Sequence, residues 1–199
     1  MKNLFSTSAK SLMAALLLGA SIFTTNVMAV EKEPVKTSAP KNFDKVLVSG
    51  NVEVTLIQNG TEGVAYSENN TGKVKVVQDG SALKITSTDN HLAKITVYVK
   101  NIYRVQASDQ AQVNTSGKLD VKYLQVFLTG NAVAKINSKT ESLFTVLEGN
   151  ADLKLSGATL SHNLVMGNTP KLNLDKFAAS KTEVSTPPTS IVQTAALSK

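Results

Sequence analysis

Few residues of this chain carry reactive chemistry. Its 199 residues include two histidines, His91 and His162, and no cysteine. A thiolate nucleophile, a thiolate metal site, a disulfide framework and a lipid-anchored cysteine are therefore excluded. A serine-histidine-acid relay or an imidazole-ligated metal would have to use one of the two histidines, and neither lies in a motif with the spacing that such chemistry needs. His91 sits in the turn sequence TDNHLAK and is expected to face solvent. His162 is expected at an ordinary strand position, aligned with Gln125 and Phe144. Carboxylate catalysis needs two or more acids converging on one spot. Glu148 aligns with Thr129 and Met166, and Asp152 with Val133 and Pro170, so the acids do not stack. The one stacked charged column is Lys135 over Lys154, of like sign. The expectation is no catalytic residue, no metal site and no cofactor.

The elements that would have to position such groups are strands. Val46, Val48, Val52, Val54 and Leu56 alternate around Ser49-Gly50-Asn51, and Val74 and Val76, Leu83 and Ile85, and Ile95, Val97 and Val99 repeat the alternation. A period of two marks strands with one buried face. Turn residues divide them at Asn59-Gly60, Asn69-Asn70-Thr71-Gly72, Asp79-Gly80 and Asp89-Asn90. No later segment holds a helical period, so the predicted class is all-β.

A repeat dominates the second half. LQVFLTGNAVAKI, LFTVLEGNADLKL and HNLVMGNTPKLNL align on Gly130-Asn131, Gly149-Asn150 and Gly167-Asn168, with spacings of 19 and 18 residues. Gly50-Asn51 has the same local form, and VQASDQAQVNTSG fits as a degenerate copy with Asp109-Gln110 near the pair's position. A period near 20 holding two short strands and two turns predicts a solenoid whose turns of about 18–20 residues bury their inward faces only by stacking. Gly-Asn then marks a corner of positive φ, with the Asn side chains stacked in a ladder. The predicted core is Val52, Val54 and Leu56, then Ala132, Ala134 and Ile136, then Ala151, Leu153 and Leu155, with Glu53, Thr55, Val133, Lys135, Asp152 and Lys154 facing out.

Before each corner both phases of the strand are apolar. If one phase is buried, the other makes an outward column of Phe127, Val146 and Leu164. Another layer of the chain covers this column, or it is a partner-binding stripe for self-association or for an envelope protein.

The amino-terminal segment reads as an address. Lys2 and Lys10 precede the 12-residue apolar run LMAALLLGASIF, too short to span a bilayer, which needs roughly 20 residues, and Val27-Met28-Ala29 forms a peptidase site. Residues 1–29 are predicted to be a signal peptide, 30–42 a linker, 43–184 the domain, and 185–199 a Pro/Ser/Thr-rich tail with Ile191, Val192 and Leu197 available for docking. No transmembrane segment is expected after cleavage. Cleavage removes two lysines and no acid, so the net charge falls from +6 to +4. With one arginine and dispersed lysines, the chain lacks the basic cluster that nucleic acid requires.

The opening FDKVLVSGNVEVTLIQNG, the DGSALKIT segment and the Gly-Asn repeats together resemble the head domain called GIN of auto-transporter adhesins, bacterial envelope proteins common in Bacteroidetes. The resemblance covers about Phe43 to Val184. It implies a right-handed β-helix-like solenoid similar to pectin lyase folds, a role in adhesion and no catalytic residues to carry over. The reading is an exported, non-catalytic binding module of the periplasm or cell surface, with a glycan or an envelope protein as ligand. The alternatives are a carbohydrate-processing enzyme on the same scaffold and a purely structural periplasmic protein.

Overall fold

The computed structural model describes residues 40–66 and 74–187. The signal peptide, most of the linker, the Asn69–Gly72 turn and residues 188–199 of the tail lie outside the described residues. All regular structure among the described residues is β. The strands are β1 Lys45–Gly50, β2 Val52–Gln58, β3 Gly63–Tyr66, β4 Val74–Asp79, β5 Ala82–Ser87, β6 Ala93–Val99, β7 Arg104–Ser108, β8 Gln112–Thr115, β9 Leu119–Asp120, β10 Tyr123–Leu128, β11 Val133–Leu147, β12 Asp152–Met166 and β13 Lys171–Ser185. They form one 13-stranded sheet. No described helix is long and apolar enough to cross a membrane.

Two parallel ladders run side by side. In the first, β5, β1, β7, β10 and the later halves of β11, β12 and β13 pair in turn. In the second, β6, β2, β8 and the earlier halves of the same three long strands pair in turn. The ladders close at one end with antiparallel strands, β4 on β5 and β3 on β6.

The expected core is in place. Val52, Val54, Leu56, Ala132, Ala134, Ile136, Ala151, Leu153 and Leu155 are all buried, and Lys135 pairs with Lys154 on the outside. Each buried aliphatic side chain contributes on the order of 1.5–3 kcal/mol for a Val- or Leu-sized group, so the column needs every layer above and below it.

The unit of repetition differs from the expected pair of short strands. From β11 onward each repeat is a single 15-residue strand that bends in its middle and serves both ladders. Only one four-residue corner separates one strand from the next. The first repeats are also not consecutive: Ser49 pairs with Ser108, because β3 to β6 are inserted between the strands that stack.

Candidate functional site

The Gly-Asn corner is a structural ladder. Asp109, Gly130 and Gly149 share left-handed φ values of 61°, 69° and 67°. Asn131 N–H donates to the Asp109 carbonyl at 2.8 Å, Asn150 N–H to the Gly130 carbonyl at 2.7 Å, and Asn150 Nδ2 to Asn131 Oδ1 at 3.1 Å. Asp109 thus takes the glycine position, because a short polar side chain tolerates this conformation. Its carboxylate accepts from Gly50 N–H of the neighbouring strand at 3.2 Å.

Gly167-Asn168 does not follow this register. Leu147 pairs with Met166 and Asp152 with Lys171, so Pro170 occupies the level of Ala151 and the last pair slips by one residue. The spacing of 18 is therefore a change at the corner: the strands pair 19 apart on either side of it, and a register shift between Lys154 and Ser156 widens the offset to 20 along the later half of β13. Two expectations are corrected as a result. Leu164 pairs beside Thr145, points inward and is 4% exposed, so Val165 continues the outward column after Phe127 and Val146. His162 stands on Leu143, not Phe144, and is fully buried. Its Nε2 lies 3.1 Å from Thr145 Oγ1, its Nδ1 has no partner, and its ring meets Phe177 edge-on at 5.5 Å. Desolvation holds its pKa below the usual imidazole range, so it is a neutral core group. His91 is exposed, as expected, beside Asp89 at 3.0 Å.

The outward column is half-buried by its own neighbours. Phe127 meets Phe144 edge-on with centroids 5.8 Å apart, and the Arg104 guanidinium lies 4.8 Å over its ring. Gln125 ties this cluster together by accepting from Arg104 Nε and donating to the Tyr103 hydroxyl, both at 2.8 Å.

A concavity lies elsewhere, at the bend within the long strands. It is a cleft of about 640 Å³ running along the stack. Its floor is Val121, Thr140, Thr159 and Ala179, with Thr140 donating to Thr159 at 2.8 Å and Thr159 to the Ser161 carbonyl at 3.1 Å. One end carries Lys139 with Asp120 at 3.9 Å and Lys122 with Glu141 at 3.6 Å. Glu141 raises the Lys122 pKa above its ordinary value by direct attraction. The other end is small and apolar: Ala158, Ala178 and Leu160, the last 61% exposed. Gly157, at φ 98°, makes the bend and brings its strand against the Ser138 backbone. Sequence reading missed this cleft. Its signal was the recurrence of small residues one repeat apart, Thr140 with Thr159 and Ala158 with Ala178, which hydrophobic periodicity does not register.

Both carboxylates of the cleft are more than half exposed and matched by lysines. Among the described residues no three of His, Asp and Glu gather as a metal-holding group. These features define an all-β protein of stacked parallel strands that offers a surface cleft and an apolar outer column. Residues 42–196 match the family described as "Putative auto-transporter adhesin, head GIN domain", and the chain belongs to that family.

Solved structures share the fold. A "putative adhesin" from Parabacteroides distasonis matches with TM-score 0.57 at 11% identity, covering 74% of this chain and 75% of the other. One from Parabacteroides merdae matches with TM-score 0.55 at 14% identity, covering 74% and 75%. A "Putative lipid binding protein" from P. distasonis matches with TM-score 0.56 at 13% identity, covering 77% of each. At these identities the likeness is one of fold. No curated protein matches this chain.

Proposed function

We propose that the chain is an exported, non-catalytic binding module of the bacterial envelope, built as a right-handed β-helix-like solenoid, and that the cleft at the strand bend holds its ligand. The constant 19-residue offset between β11 and β12 and between β10 and β11 supports the solenoid. The observation that carries the function is the make-up of the cleft. It joins hydroxyls, two lysine-carboxylate pairs and an apolar end, and both carboxylates are more than half exposed with a lysine beside each. Such a surface fits an elongated ligand with polar groups along one side, as in a glycan chain. Family membership and the hydrophobic leader Leu12 to Phe23 support export.

Retention on immobilised envelope glycans tests the reading. The full chain is expected to be retained and Thr159→Tyr, which fills the cleft floor, to be released. Equal retention of both, or of neither, overturns it. A second contact is the outward column of Phe127 and Val146, continued by Val165. Its apolar area and the Arg104 cation favour a protein partner of the envelope there.

A further inference from the structure

The last strand offers an edge that fits itself. Among the described residues β13 pairs only with β12, so the other side of a 15-residue strand has unpaired backbone groups. Such an edge is a template for another chain. The core is thin there too: Leu172, Leu174 and Phe177 are only partly buried, and Val184 is 65% exposed.

We propose that β13 pairs antiparallel with β13 of a second copy, about a two-fold axis through Ala178. The strand runs from Lys171 to Ser185, so Ala178 is its midpoint. It also lies at the bend, because Ala178 pairs with Ala158 just past Gly157. A two-fold axis along the bisector of the bend lays the earlier half of one strand against the later half of the other, as an isologous contact requires.

Three features of the sequence agree with that register. Leu172 faces Val184, Leu174 faces Thr182 and Phe177 faces Ala179, so every inward position meets an inward position and the open end of the core closes. Asp175 faces Lys181, twice by symmetry. The other charged residues, Lys171, Lys176 and Glu183, face Ser185, Ser180 and Asn173, so no like charges meet. Lysines on an edge normally repel a second strand, and this register is one in which they do not. The same axis sets the two clefts end to end, because Ala178, Ala179 and Ser180 line the cleft at this edge.

Sedimentation equilibrium of the purified full chain tests the proposal, with circular dichroism to check each variant's fold. A dimer mass is expected. Val184→Lys changes an exposed side chain and is expected to weaken the dimer about tenfold or more. Asp175→Lys and Lys181→Asp are each expected to weaken their own homodimers, and mixing the two is expected to restore a dimer, because opposite charges then meet at both contacts. The chain has no cysteine, so Ala178→Cys is expected to yield a disulfide-linked dimer and Lys171→Cys none. A monomer overturns the proposal, including a monomer whose edge is covered by residues 188–199. A dimer indifferent to Val184→Lys and not linked through Ala178→Cys also overturns it.

Discussion

Replacing Gly157 by alanine tests the bend that makes the cleft. A Cβ built on Gly157 would lie 2.0 Å from the Ser138 carbonyl oxygen and 3.0 Å from Asn137 Oδ1. Ordinary carbon contacts need about 3.5 Å, so the strands must part by more than 1 Å. Ser138 cannot yield freely, because it is fully buried and paired with both Leu119 and Gly157. The left-handed backbone adds about 1–2 kcal/mol for any residue with a Cβ, one or two disturbed ladder hydrogen bonds add about 1 kcal/mol each, and overpacking about 1–3 kcal/mol. The expected loss is roughly 4 kcal/mol.

Two other glycines calibrate this value. Gly80 has φ 59° but open space around it, so alanine there should lose only about 1 kcal/mol. Gly63 has neither constraint, and alanine should be neutral within about 0.5 kcal/mol. Urea unfolding followed by circular dichroism gives the three values. In thermal melts each kcal/mol moves the midpoint by about 2–4 °C for a domain of this size, so Gly157→Ala should melt about 8–16 °C lower. A Gly157→Ala loss no larger than that of Gly80→Ala would refute the close approach at the bend.

Buried His162 makes stability depend on pH. The unfolded imidazole binds its proton at the ordinary value of 6.5 and the buried one only below it, so stability is full above that value and falls as pH drops, by at most about 1.4 kcal/mol per pH unit. His162→Leu should flatten the urea midpoint between about pH 7 and pH 5, and an unchanged slope would count against a neutral core imidazole. Asn150→Ala removes the 3.1 Å amide contact to Asn131 and should lower stability by about 0.5–1 kcal/mol in the same melts, its exposure limiting the loss. Phe127→Lys removes the Arg104 and Phe144 ring contacts and should cost about 1–2 kcal/mol. It should reduce capture by envelope proteins and leave the solution mass unchanged, a result opposite to that of Val184→Lys.

Much of the fold was legible because strand alternation reports burial directly. The inward triplets from Val52 to Leu155 needed only the period of two, and Asp109 was placed by counting one repeat back from Gly130. The misplacements of Leu164 and His162 share one cause. Aligning on Gly167-Asn168 assumed that the corner motif fixes the register, whereas hydrogen-bonded pairing along the strand fixes it and the corner absorbs the difference. That single residue turned Leu164 and His162 from the outer face to the inner one, since a one-residue slip exchanges the faces of a strand. The cleft stayed hidden for another reason: its residues are small and polar, and only the bend at Gly157 brings Thr140, Thr159 and Ala178 into one concave surface.

The two ends of the stack differ in kind. At one end β3 and β4 run against their neighbours, so a further parallel strand meets reversed strands there. This closure depends on the insertion of β3 to β6 between β2 and β7, which also separates Ser49 from its partner Ser108 by most of the first half of the domain. At the other end β13 keeps the parallel direction and a palindromic arrangement of charge and apolar side chains about Ala178. Parallel continuation and antiparallel self-pairing are both open to such an edge, and the side chains choose between them. A parallel partner identical to β13 and in register would set Lys171, Lys176 and Lys181 each against itself, whereas the antiparallel partner sets none of them against another lysine. Like charges directly opposed in a ladder are destabilising, so the edge disfavours stacking of copies in one direction and favours closure after two. A lysine pattern that prevents open-ended growth is thereby compatible with a closed pair, and the Lys181→Asp variant mixed with Asp175→Lys separates those two effects in one measurement.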